Sequence, residues 1–75
     1  MNLIETIEQR IGLAEAAGFQ VRFEYFGGAG GGICSYGGKR WMFLDLTLTA
    51  QEQLDRINQM LIDEQLLPGQ SQRAA

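Results

Sequence analysis

Along residues 2 to 17, the apolar side chains Leu3, Ile4, Ile7, Ile11 and Ala14 recur at three- and four-residue spacing, which places one apolar stripe on a helix of about four turns. Asn2 followed three residues later by Glu5 is a capping-box start, and Gly18 suits the left-handed position just past the helix end. The period then changes. Phe19, Val21, Phe23 and Tyr25 alternate with Gln20, Arg22 and Glu24, the signature of a strand with one buried and one wet face.

Residues 27–32 hold five glycines and one alanine, cannot pack a core, and read as a loop between strands. Ile33 to Tyr36 and Lys39 to Leu46 flank Gly37-Gly38, a dipeptide that accepts the positive φ angles of a two-residue hairpin turn. Thr49 with Glu52 repeats the capping-box pattern. Ala50, Leu54, Ile57 and Leu61 then continue as a second helical stripe to about Leu67, where Pro68-Gly69 stops it. The predicted architecture is a two-layer α+β domain over residues 1–69, ordered α-β-β-β-α. It has a three-stranded antiparallel sheet with both helices on one face, and residues 70–75 form a frayed tail.

Turn parity sets which side chains share a face of the hairpin. With Gly37-Gly38 as the loop, Tyr36 faces Lys39 and Cys34 faces Trp41. Ile33, Met42, Leu44 and Leu46 then line one side, and Cys34, Tyr36, Trp41, Phe43 and Asp45 the other. Two helices cover one side of such a sheet, and nothing in the chain remains for the second. Trp, Tyr and Phe are enriched in interface cores, and a large exposed apolar patch is uncommon on a monomer. Burying roughly 300 to 400 Å2 on Tyr36, Trp41 and Phe43 is worth on the order of 8 to 10 kcal/mol before the costs of association. A homodimer, or a dedicated protein partner, is therefore expected at this face. The competing structural reading is that one helix crosses over to cover it.

Size strengthens the case for association. A 75-residue chain buries a modest fraction of its surface and often needs a disulfide, a metal or a partner. One cysteine and no histidine supply neither an internal disulfide nor a structural zinc site, so no metal and no cofactor is expected. Six basic against nine acidic residues, net charge -3, argue against nucleic-acid binding. Stacking on Trp41 and Tyr36 beside Lys39 and Arg40 would be its only route. The first ten residues carry Glu5 and Glu8, unlike a signal peptide, and no apolar run approaches the ~20 residues of a membrane span. A cytoplasmic setting without membrane contact is the expectation.

Candidate chemistry is sparse, and no catalytic residue is assigned. Successive amides of a glycine loop can hold an anion, so Gly28, Gly30, Gly31 and Gly32 with Lys39 and Arg40 form a candidate ligand site. The motif tests go against it. A Walker pattern ending at Gly38-Lys39 needs glycine where Ile33 stands and Ser or Thr where Arg40 stands, and the dinucleotide pattern from Gly28 and Gly30 also fails at Ile33. Cys34 has no histidine to activate it and reads as a small buried hydrophobe beside Trp41. Asp45 has no second acid at a defined spacing. Its structural roles are to partner Arg22 across the outer face or to cap the turn into the second helix. Lys39 and Arg40 read as a solvated turn, or as a grip for an acidic partner.

The run Gly-Gly-x-Gly-Gly-Gly-x-Cys at 27–34, with Gly38-Lys39-Arg40, Phe43-Leu44-Asp45-Leu46 and Glu52-Gln53-Leu54, is similar to small uncharacterised bacterial proteins across the middle third of the chain. That resemblance implies a bacterial source and supplies no activity. The reading is a non-enzymatic domain acting through self-association or partner docking on the face of Tyr36, Trp41, Phe43 and Cys34. The alternative is a small-molecule or anion-binding protein, conceivably an enzyme, built on the 27–32 loop.

Overall fold

A computed structural model of the chain describes residues 2–29 and 31–69. The expected tail at 70–75 and the candidate Gly30 lie outside the described residues. Helix α1 spans Leu3–Ala16, strands β1, β2 and β3 span Phe19–Glu24, Gly32–Tyr36 and Lys39–Asp45, and helix α2 spans Ala50–Asp63. Asn2 caps α1 by accepting from the Ile4 and Glu5 amides at 2.8 and 3.3 Å. Thr49 and Glu52 close a full capping box on α2, at 3.1 and 2.9 Å.

The sheet is mixed rather than antiparallel. Its order is β1-β3-β2, with β2 antiparallel to β3 and β1 parallel to β3. Strand directions alternate along the chain as a meander would have them, but β3 inserts between β1 and β2. Seven residues separate Glu24 from Gly32, more than the two to five of a typical hairpin loop, and they carry the chain across the end of β3. The crossing brings backbone onto backbone. Gly31 (φ +76) lies against β3 so closely that an added Cβ would overlap the Phe43 carbonyl, 2.7 Å from its carbon. The hairpin itself has the predicted register, Tyr36 opposite Lys39 and Cys34 opposite Trp41, around Gly37 and Gly38 at φ 63 and 79.

One side of the sheet carries the core. Phe19, Met42 and Leu44 are buried with Ile7 and Ala14 of α1 and Leu54, Ile57, Met60 and Leu61 of α2, while Val21, Phe23 and Ile33 pack against them. An Arg10–Asn58 hydrogen bond of 2.8 Å ties the two helices together. Four predicted core positions fall outside. β1 ends before Tyr25, which is 77% exposed, β3 ends before Leu46, and Leu3 and Ile4 project from the first turn of α1 beyond the sheet.

α2 stops at Asp63, short of Leu67. Gln65 adopts φ 65, its amide donates to the Ile62 carbonyl at 2.9 Å, and the Leu66 amide reaches back to Leu61 at 2.7 Å. This is a Schellman cap with a non-glycine residue in the left-handed position, and it folds Leu66 and Leu67 onto the core. Relieving that strain in Gln65→Gly is expected to raise stability by about 0.5–1 kcal/mol, a rise of several degrees in thermal midpoint. Gly31→Ala is expected to lose more than about 2 kcal/mol in urea unfolding, because neither the Phe43 backbone nor the crossing chain has room to move.

Candidate functional site

On the side of the sheet away from the helices, alternation along β3 projects Trp41 and Phe43. Their rings stack with centroids 6.0 Å apart and planes 10° from parallel, and Phe26 from the crossing loop meets Phe43 edge-on at 6.0 Å and 79°. Both β3 aromatics are half-buried. The Trp41 Nε1 hydrogen is shielded from solvent and has no acceptor among the described residues. Next to them Cys34 and Tyr36 stand on β2, and Tyr36 is 76% exposed. A groove of about 330 Å3 runs between Arg22, Cys34, Tyr36, Trp41 and Phe43. All four residues expected at a partner face therefore share one surface.

Cys34 is exposed, not buried. It sits on an edge strand, and among the described residues the side it faces has no layer above it, so facing Trp41 across the hairpin does not enclose it. Arg22, expected on this outer face, borders it, as do Phe26 and Ser35, which the sequence reading did not assign to it.

The candidate ligand set is split up. Arg40 lies on the helix side, its guanidinium 4.5 Å above the Phe19 ring and its Nη2 2.9 Å from Glu64, so although it is exposed it is turned away from the glycine loop. Lys39 stays exposed at the hairpin end. Gly28 and Gly31 belong to the crossing, and Gly32 opens β2.

What holds the loop is Asp45, wholly inaccessible at 0% exposure. Its Oδ1 accepts from the Phe26 amide at 3.1 Å, the Thr47 amide at 2.9 Å and the Thr47 hydroxyl at 2.7 Å, and its Oδ2 accepts from the Gly28 amide at 2.8 Å. The expected partnership with Arg22 is absent, because Arg22 pairs with Glu24 along its own strand at 2.7 Å. The expected role in the turn into α2 is present through Thr47, and the carboxylate also fastens the loop. One amide of the glycine segment, that of Gly28, and the Phe26 amide just before it thus point inward at a carboxylate of the protein.

A second groove, about 400 Å3, lies between Gly28, Leu48 and the polar side of α2 at Glu52, Asp55, Arg56 and Gln59. Sequence reasoning named Gly28 as a ligand candidate and gave Glu52 a capping role, but assigned no site to Glu52, Asp55, Arg56 and Gln59 together. Their three- and four-residue spacing shows one helix side, but a charged helix side is ordinarily just solvated. Among the described residues no group of three or more His, Cys, Asp and Glu side chains could hold a metal ion, and no helix is long and apolar enough to cross a membrane. Comparison with protein-family models, curated proteins and solved structures gives no match.

Removing the Asp45 carboxylate leaves the Phe26, Gly28 and Thr47 amides without their acceptor. Asp45→Ala is expected to cost about 3 kcal/mol or more, a large share of the roughly 4–11 kcal/mol available to a domain this size. Urea denaturation followed by circular dichroism measures it.

Proposed function

We propose that the chain is a non-enzymatic domain that works by protein association, burying the open side of its sheet on a second copy or another protein. The observation that carries this reading is the placement of the Trp41–Phe43 stack. Both helices enter the core on the other side, so the largest aromatic group of the molecule borders a groove that no described element covers. Trp and Tyr are enriched among the residues whose truncation costs such surfaces most. The shielded, acceptor-free Trp41 N–H adds a polar group that an arriving chain can satisfy if the indole turns.

A ligand-binding role for the glycine segment has less support. Anion capture needs amides directed at solvent, and the Phe26 and Gly28 amides are occupied by Asp45. Arg40, the stronger of the two candidate cations for an anion, is on the far side of the sheet.

Trp41 is the sole tryptophan, so its fluorescence reports this surface directly. Light scattering of wild type and Trp41→Ala, with acrylamide quenching of the wild-type emission, tests the reading. Association that weakens about tenfold or more in Trp41→Ala is expected. A monomer whose Trp41 emission resists quenching overturns it, since the chain itself then closes the surface.

A further inference from the structure

Both outer strands of the sheet are edges, and they are not alike. β1 carries Arg22 and Glu24 on its open side, joined by an ion pair of 2.7 Å, the kind of charge that discourages another strand from pairing. β2 is Gly32-Ile33-Cys34-Ser35-Tyr36, without a charge or a proline, and among the described residues it pairs only with β3. In a two-residue hairpin the residues flanking the turn bond to each other, here Tyr36 and Lys39. The alternation of antiparallel bonding then turns the Cys34 and Gly32 backbone groups toward β3. Those of Ile33 and Ser35 point out from the free edge.

We propose that the occupant of this edge is a second copy of the chain, paired antiparallel through β2 about a two-fold axis at Cys34. This rests on the association reading above and names its partner. The register follows from the outward groups. Ile33 of each copy bonds with Ser35 of the other, and Cys34 meets Cys34 of the second copy in a non-hydrogen-bonded pair. Tyr36 falls opposite Gly32 of the second copy. No like charges oppose one another within the strand, and the two sheets of three strands become one of six.

In this register Tyr36 and Gly32 complement one another in size and exposure. Tyr36 is 76% exposed, with little contact inside its own chain. Gly32 leaves beside Phe43 and Phe26 an open groove of about 240 Å3, floored by Gly31 and Gly32, on the side to which Tyr36 of a paired copy projects. An aromatic ring laid over a strand glycine covers the backbone that the glycine exposes. Pairing would seat each Tyr36 in the other copy's groove against Phe43, and it would join the two Trp41–Phe43 surfaces into one platform.

Gly32→Val separates this pairing from the fold. A Cβ at Gly32 meets nothing within 4 Å and the backbone there is not left-handed, in contrast to Gly31, so the variant keeps its own structure while filling the groove. Wild type should be a dimer by light scattering at about 1 µM to 1 mM, and Gly32→Val should weaken it by roughly a hundredfold or more with an unchanged circular dichroism spectrum. The register predicts Cα atoms about 4.5 Å apart at Cys34, inside the disulfide range of about 4.4–6.8 Å. Diamide should therefore take two protons and two electrons from the paired thiols and leave a disulfide-linked dimer, rapidly in wild type and far more slowly in Gly32→Val. If Gly32→Val loses its spectrum, Tyr36→Ser, at an exposed position, carries the same test. A dimer that neither cross-links at Cys34 nor responds to Gly32→Val or Tyr36→Ser overturns the β2 seam and leaves association through the open side standing. A monomer with quenchable Trp41 overturns the second copy as occupant, and a monomer with quench-resistant Trp41 overturns both readings.

Discussion

The Asp45 carboxylate, at the end of β3, holds together two segments distant in sequence, the loop leaving β1 and the turn into α2. Through Phe26 and Gly28 it fixes the loop leaving β1, and through both polar groups of Thr47 it fixes the turn into α2. Its own backbone carbonyl, with that of Leu48, accepts from the Gln53 side chain at 3.5 and 3.1 Å. The Leu46 amide extends the β1–β3 contact by bonding to the Glu24 carbonyl at 2.8 Å. A buried charge is costly unless saturated with donors, and here saturation and topology have one cause. The loop must pass over the end of β3, where its amides would lack strand partners. Asp45 at the last position of β3 supplies them.

Much of this was legible in the sequence, and the misses share a physical origin. Local rules found the caps at Asn2 and Thr49, the two-residue turn at Gly37-Gly38 and the pairing of Cys34 with Trp41, because each depends on residues a few positions apart. Strand order depends on contacts between distant segments. A meander and the observed order share the same strand directions, so alternation of Phe19, Val21 and Phe23 cannot separate them. The usable signal was the length and glycine content of residues 25–31, a span too long for a hairpin and too bare for anything but a close crossing. The same limit explains Asp45. Its donors at Phe26 and Gly28 lie nineteen and seventeen residues away, beyond the reach of any spacing rule.

Errors in burial arose differently, from extending a good periodicity past the element that produced it. Tyr25 and Leu46 continue the alternation of their strands, yet both strands end one residue earlier, at Glu24 and Asp45, where the crossing begins. Cys34 failed for the complementary reason. Its pairing with Trp41 was right, but a neighbour within one layer does not bury a side chain, and only a second layer does. Register and burial are separate inferences.

That distinction bears on the candidate site. Among the described residues, both helices are committed to one side of the three-stranded sheet and none covers the other. Ordinary solvated sheet surfaces answer with polar side chains, and β1 does so with Gln20, Arg22 and Glu24. β3 answers with Trp41 and Phe43 instead, and β2 with Cys34 and Tyr36. The polar strand and the apolar hairpin lie side by side on one surface, so the apolar half cannot be attributed to a chain poor in polar residues. Glycine sharpens the contrast. Gly31 is demanded by the crossing, whereas Gly32 meets nothing that would exclude a side chain and lies in a strand that a β-branched residue would strengthen. Among the described residues no contact requires it. Under the proposed β2 pairing that bareness has a use, because Tyr36 of the second copy is laid over it on the same open side as the aromatics.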